Sequence, residues 1–205
     1  MSAFAQLSAA LTEALDELVR RVSVSLAVVS SGQAGAGAGI VWDRGLILTN
    51  AHVVTHRTAQ VRLHDGREFA ARLVQREPQV DLALLAIDAG DLVALPLADG
   101  TPRVGEMVFA FGHPWGQRDS VTGGVISALG SIRTPGQGGS LRVIRSDVPL
   151  APGNSGGPLV NGAGELMGVN AMIVGGDQSL SIPAEVAREF CDRALAGRPV
   201  GEAAR

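Results

Sequence analysis

Residues 152–159 read Pro-Gly-Asn-Ser-Gly-Gly-Pro-Leu. A serine set between glycines sits on a tight backbone turn with little side-chain crowding, which is the exposure a nucleophile needs. The backbone N–H groups of Gly153 and Ser155 then converge on one spot and form an oxyanion hole. A plain glycine-rich turn explains the octapeptide equally well when it is taken alone. Two further segments change that balance. Thr49-Asn50-Ala51-His52-Val53-Val54 presents a histidine just past an apolar run, and Val80-Asp81-Leu82-Ala83-Leu84-Leu85 puts one carboxylate at the head of another. A lone buried carboxylate is costly unless paired. With His52 as partner, Asp81 fixes the imidazole tautomer through one ring nitrogen, and the other nitrogen takes the Ser155 proton. The chain order His, Asp, Ser differs from the orders used by subtilisin and the α/β-hydrolases.

The elements that must position these residues are mostly strands. Leu7, Leu11, Leu15, Leu18 and Val22 follow a 3.6-residue period and predict an N-terminal helix, packed on its own domain or on a neighbouring subunit. From Val22 to Val29 the signal turns to strand. A Gly/Ala run at 32–39 reads as a crowded turn ahead of Ile40–Trp42, and Leu46–Leu48 follows. Asp65-Gly66 predicts a hairpin between Gln60–His64 and Glu68–Val74. Further strands are expected at Val80–Ile87, Met107–Phe111, Val121–Leu129, Leu141–Val148, Pro158–Val160, Glu165–Ile173 and Leu180–Ile182. Pro183 leads into a helix over about 184–196 that stops at Gly197. Many short strands bracketed by two helices argue for an all-β barrel or sandwich. Thr134 to Ser140 reads as the longest loop.

With this order and spacing, the chain resembles the protease domain of the HtrA (DegP/DegS) family of trypsin-like serine proteases. The likeness rests on TNAHVV, DLALL and GNSGGPLV, with FGHPWG at 111–116, VTGGVISALG at 121–130 and LSIPAEVAREF at 180–190, and it spans about residues 22 to 190. The resemblance implies two perpendicular six-stranded β-barrels with an N-terminal and a C-terminal helix. It implies His52 as general base, Asp81 as its orienting partner, Ser155 as nucleophile, and Gly153 and Ser155 as oxyanion-hole donors. It divides the chain into an N-terminal helical segment (1–22), the protease domain (23–197) and a tail (198–205). It also implies a serine endopeptidase acting through an acyl-enzyme on unfolded or damaged polypeptides, in protein quality control. The alternatives are a latent or non-catalytic, chaperone-like peptide-binding module of the same fold, and an esterase using the same triad.

Asn154 replaces the aspartate that pancreatic-type trypsins carry before the serine, so activation by a freed N-terminal amine is not expected. Loop rearrangement at about 113–120, 148–154 and 173–179 does that task in the resembled family. Specificity follows from Val148-Pro149-Leu150, the region of the pocket floor, which holds no acidic residue to meet Arg or Lys. Pro149, Leu150, Val169, Asn170, Ala171 and Met172 are the expected substrate-binding positions, favouring small or medium aliphatic side chains. The chain departs from the resembled family at His113, where Asn is usual, and at Pro149. It also ends too early for the PDZ domain that usually follows. The family is often trimeric through aromatic residues of its N-terminal segment, where this chain has Phe4, and a homotrimer is the expected assembly.

Composition excludes several other classes. The 205 residues are 46% hydrophobic and 18% charged, which excludes a disordered chain. Net charge is −3, all 17 basic residues are Arg, and they are scattered, so no nucleic-acid stripe is expected. One cysteine, Cys191, excludes an internal disulfide and a cysteine-based metal cluster. No cofactor or metal is implied; His56 and His64 read as surface histidines, and Cys191 as a buried thiol on the last helix. Gly35-Ala-Gly37-Ala-Gly39 lacks the Gly-Lys-Ser/Thr of a phosphate loop. No membrane span or secretory signal is expected, which suggests a cytoplasmic protein, or a periplasmic or secreted one if the N-terminus is incomplete.

Overall fold

The computed structural model describes residues 2–32, 35–113, 120–133, 139–174 and 178–196. Most of the expected 113–120 and 134–140 loops, residues 175–177 of the third loop and the tail from 197 lie outside the described residues.

Helix α1 spans Ala3–Ser23 and is capped by Ser2, whose hydroxyl accepts the Ala5 N–H at 3.2 Å. Its apolar stripe is divided. Leu18 and Val22 are buried and Leu15 and Val19 pack against the same cluster, whereas Phe4, Leu7 and Leu11 remain 80%, 69% and 56% exposed. The helix therefore rests on the body through its C-terminal half. Val22, read both as the last rung of this stripe and as the first residue of an apolar β-branched run, is helical.

Strands β1 (Leu26–Ser30), β2 (Ala36–Asp43), β3 (Leu46–Thr49), β4 (Thr58–Leu63), β5 (Glu68–Glu77) and β6 (Leu82–Ala86) close an antiparallel barrel in the order β1-β2-β3-β6-β5-β4. Side chains alternate across each strand. Val29, Val41, Ile47, Val61 and Leu85 fill the barrel, while Leu26, Ile40, Leu48, Leu82 and Leu84 face a second core. The expected turn at Asp65-Gly66 is formed: Gly66 has φ 92° and Asp65 Oδ1 accepts the Arg67 N–H at 2.9 Å.

A second closed antiparallel barrel runs β10-β11-β12-β9-β8-β7, from β7 (Met107–Gly112), β8 (Ser120–Arg133), β9 (Ser140–Ser146), β10 (Pro158–Asn161), β11 (Leu166–Val174) and β12 (Gln178–Pro183). Val108, Ala110, Ile126, Ile144 and Leu159 fill it. Helix α2 (Ala184–Ala196) buries Val186, Ala187, Phe190 and Cys191 against the core that both barrels share.

The Gly/Ala run corrects one expectation. Residues 36–39 are not a turn but the first half of β2. Their smallness has a tertiary cause. A Cβ on Gly39 would lie 2.8 Å from the side chains of both Ile47 and Val29, and one on Gly37 would lie 2.6 Å from Val53 and 2.8 Å from the Ser155 carbonyl oxygen.

Candidate active site

The site is assembled from both barrels. His52 lies on the turn after β3, and Asp81 lies on the turn before β6. Strands β3 and β6 are antiparallel neighbours, with Thr49 opposite Ala83, so the end of one meets the start of the other. Four groups of residues 50–52 bond to Asp81 and hold the pair of turns together. The Ala51 N–H and the Asn50 amide both donate to the Asp81 carbonyl, at 3.1 and 3.0 Å. The His52 backbone N–H donates to Asp81 Oδ1 at 3.0 Å, and His52 Nδ1 lies 2.8 Å from Oδ2 and 3.1 Å from Oδ1. One carboxylate thus grips both the backbone and the ring of the same histidine. The Asp81 side chain is 19% exposed while that of His52 is 50% exposed, so the carboxylate is sheltered and the ring reaches solvent. Asp81 has φ 52°, the only positive φ of a non-glycine among the described residues. Such a left-handed conformation costs of order 1–3 kcal/mol and persists only where surrounding contacts enforce it; here those contacts are the bonds to residues 50–52.

A fifth restraint was invisible in sequence. Arg76, on β5, donates its Nε–H to the carbonyl oxygens of Ala51 and Val54, both at 2.9 Å. These two carbonyls bracket the His52 turn. The contacts span 25 and 22 residues, and no local motif announces them.

Ser155 sits in the loop between β9 and β10. Gly153 and Gly156 adopt φ 104° and 85°, conformations that favour glycine. At Gly156 a Cβ would also stand 2.3 Å from both Ala38 O and Thr49 Oγ1. The loop is tied on three sides. The Ser155 carbonyl accepts the Ala38 N–H at 2.8 Å, and the Thr49 hydroxyl donates to Ala38 O at 2.7 Å. Gly156 N–H donates to Asn170 O at 2.9 Å, and Asn170 N–H donates to Gly157 O at 2.8 Å. His113, itself buried, donates its N–H to Gly153 O at 3.2 Å. The N–H groups of Gly153 and Ser155 have no acceptor among the described residues.

The Ser155 hydroxyl donates to Ala171 O at 3.2 Å, and no hydrogen bond joins it to His52 among the described residues. Ala171 falls at a register shift between Asn170 and Met172 on β11, where it has no partner on β12. The histidine turn and the serine loop are nevertheless neighbours, since Val53 and the Ser155 carbonyl both crowd the same point above Gly37.

The six expected substrate-binding positions separate. Pro149 is exposed, Leu150 is half-buried and Ala171 borders Ser155. Met172 lies on β11 opposite Leu180. Val169 and Asn170 correct the expectation, because both side chains are wholly buried. Val169 belongs to the shared core, and the Asn170 amide donates to Pro158 O while its carbonyl accepts the Ser181 hydroxyl, both at 3.0 Å. A polar side chain at that depth is an internal tie.

Among the described residues no cluster of His, Cys, Asp or Glu is arranged to hold a metal ion. No described helix is long and apolar enough to cross a membrane. Cys191 is fully buried, and burial followed by the charge of Asp192 pushes its thiol well above the usual range.

Residues 37–169 match the model of the trypsin-like peptidase domain. The chain is 43% identical over 165 residues to a probable periplasmic serine endoprotease DegP-like of Halomonas elongata, covering 77% of this chain and 34% of that protein. It is 42% identical over 183 residues to the mitochondrial serine protease HTRA2 of Drosophila pseudoobscura pseudoobscura, covering 84% of this chain and 43% of that one. The chain therefore spans less than half the length of these relatives. The fold matches the crystal structure of the serine endoprotease from Yersinia pestis with a TM-score of 0.80 and 33% identity, covering 89% of this chain and 66% of the other. Two closed barrels, a histidine–aspartate pair on one and a glycine-flanked serine on the other go together with these likenesses: the chain belongs to the trypsin-like peptidase family and is related within it to the HtrA/DegP-type serine proteases.

Proposed function

We propose that the protein is a serine endopeptidase that cleaves unfolded or damaged polypeptides in protein quality control, with residues 23–197 as the working domain. The observation that carries this reading is the two-point grip of Asp81 on the ring and backbone of His52, beside a glycine-flanked Ser155. In the proposed cycle the Ser155 hydroxyl leaves Ala171 O and turns to His52. His52 Nε2 removes its proton as Oγ attacks the scissile carbonyl, and Asp81 stabilises the imidazolium that results. The N–H groups of Gly153 and Ser155, which have no acceptor among the described residues, receive the oxyanion of each tetrahedral intermediate. The imidazolium returns its proton to the leaving amine, and water then hydrolyses the acyl-enzyme by the same route. Ala171 O, released by the serine, then pairs with the substrate backbone in the proposed cycle. Pro149, Leu150, Ala171 and Met172 offer no charge, in keeping with small or medium aliphatic side chains at the cleavage site.

One observation favours a second reading, a latent or peptide-gripping module. In this structure the Ser155 hydroxyl is engaged by Ala171 O instead of by His52. Digestion of an unfolded protein such as casein, with Ser155→Ala alongside and fragment masses read out, decides between the two. Cleavage by the parent alone supports the endopeptidase, and absence of cleavage by both supports the latent module.

The assembly belongs to the same proposal. The exposed rungs Phe4, Leu7 and Leu11 continue the stripe that α1 buries lower down, and they are the proposed contact of a homotrimer. Light scattering on the parent and on Leu7→Asp tests it: a trimer that falls to monomers is expected, and a parent that is monomeric throughout rejects it.

A further inference from the structure

We infer that Arg76 is a positioning residue for His52, acting through the backbone of the turn that carries it. The inference rests on the proposed role of His52 as general base. The Arg76 Nε–H reaches Ala51 O and Val54 O at 2.9 Å each, so one donor ties the residue before His52 to the residue two after it. Ala51 and Val54 are buried, while the His52 ring between them is half exposed. The backbone on either side of the ring is therefore fixed where the ring itself is not.

The strand places Arg76 there by means of a bulge. Leu73 pairs with Leu85, but Gln75 pairs with Leu84, so Val74 is an extra residue on β5. Paired residues of neighbouring strands share a face, and one inserted residue moves all later side chains to the opposite face. Leu85 and Ala83 both point into the first barrel, and Arg76 pairs with Ala83. Arg76 thereby stands on the face of β5 that turns toward the barrel, but at its rim, where the residue stays exposed and its Nε–H reaches the carbonyls on either side of His52. Without Val74 the same residue would face the opposite side of the sheet. The next residue, Glu77, pairs with Leu82 and binds Arg193 of α2 at 2.9 Å, which anchors this end of β5. Lysine lacks the planar Nε–H placed along the stem, so the two-carbonyl grip depends on arginine specifically.

The test uses the full chain, an unfolded-protein substrate and a temperature at which every variant is shown to be folded. Arg76→Ala is expected to lower kcat on the order of tenfold at unchanged KM, because small misplacements of a catalytic group are expensive in rate. Arg76→Lys, which keeps the charge and the stem, is expected to lose several-fold in kcat. Arg72→Ala, on the same strand and exposed, is expected to behave as the parent. A structural role alone would move melting temperature and leave kcat unchanged in folded protein. Parental kcat in either Arg76 variant overturns the inference, and Arg76→Lys serves if Arg76→Ala does not fold. A second readout separates this failure from failure of the proposed function. The His52 ring resonances, assigned by NMR in a Ser155→Ala background, are expected to shift when Arg76 is replaced by Lys. Unshifted resonances overturn the inference whether or not the parent cleaves protein, and an inactive parent with shifted resonances keeps the positioning while removing the protease.

Discussion

The carbonyl oxygen of Ser155 accepts the N–H of Ala38 at 2.8 Å, so a strand of the first barrel holds the serine loop of the second. Gly37 precedes that donor, and a Cβ there would stand 2.8 Å from the same oxygen and 2.6 Å from Val53. Real Cβ atoms do not sit this close to a backbone carbonyl. Gly37→Ala is therefore expected to push the serine loop and the histidine turn apart. Such overpacking costs about 1–3 kcal/mol in stability. The loss in kcat is expected to be larger than that strain implies for the fold, because both reacting side chains flank the clash. Peptidase assays below the melting temperature check it; a variant with parental kcat would show that the site absorbs the added methyl.

Asp81→Asn separates charge from geometry. Asparagine tolerates a left-handed backbone well, so φ 52° is no obstacle, and an amide oxygen can still accept the His52 N–H. What changes is the ring: an amide NH2 facing Nδ1 favours the wrong tautomer and cannot stabilise an imidazolium. The expected result is a melting temperature near that of the parent with kcat reduced roughly 10³- to 10⁴-fold. A loss below tenfold would remove Asp81 from the proposed catalytic unit.

Features local in sequence were legible there, and features created by contact between distant segments were not. Short apolar runs announced the strands, the resemblance carried by TNAHVV, DLALL and GNSGGPLV implied the two barrels, and the Asp65-Gly66 turn fixed one hairpin. The meeting of His52 and Asp81 follows from two runs that become neighbouring strands. By contrast, the Gly/Ala run at 36–39 reads as a turn until the Ser155 carbonyl and Val53 are seen pressing on Gly37. Val169 and Asn170 look like a pocket wall because strand position alone does not say which face meets solvent. Arg76 is one of 17 scattered arginines until the Val74 bulge is known. Bulges and close approaches leave little trace in hydrophobic periodicity, which is why those residues escaped.

The surface cluster around Arg67 predicts a pH dependence. Arg67 Nε donates to Asp65 at 2.7 Å, and Nη1 donates to Asp91 at 3.0 Å. The Arg67 backbone N–H, then its guanidinium, hold the Asp65 carboxyl below its usual range; the guanidinium does the same for Asp91. Depressed values in the folded state mean that the cluster's contribution is complete above the ordinary aspartate pKa of about 4 and is lost as pH falls through the lowered values. The melting temperature of Arg67→Met should therefore lie slightly below the parent's near neutrality, with the gap closing in acid. The closure should be incomplete, because the guanidinium also lies 5.8 Å from the Phe69 ring centroid, a contact that does not titrate. High salt near neutrality should narrow the gap in the same way, since all three groups are exposed. A gap that widens in acid would refute the assignment.

Cys191 offers a test of the shared core. It is fully buried on α2 beside Phe190, in the cluster that also holds Leu82 of the first barrel and Ile182 of the second. Its thiol stays protonated at any ordinary pH because burial, reinforced by Asp192, penalises the thiolate. A buried thiol reacts only when the core opens, so labelling by a disulfide reagent should be slow in native protein and should accelerate with denaturant along the unfolding curve. Cys191→Ala removes one small apolar group, whereas Cys191→Ser places a hydroxyl among apolar neighbours at a cost of about 1–3 kcal/mol if it finds no partner. Serine is therefore expected to destabilise at least as much as alanine, although it fills the site better. Rapid labelling in native conditions would mean that α2 detaches without global unfolding. Because Glu77 and Arg193 bind the same helix to β5 at 2.9 Å, Glu77→Gln should then speed the labelling, and in a core that opens only as a whole it should alter labelling only through overall stability.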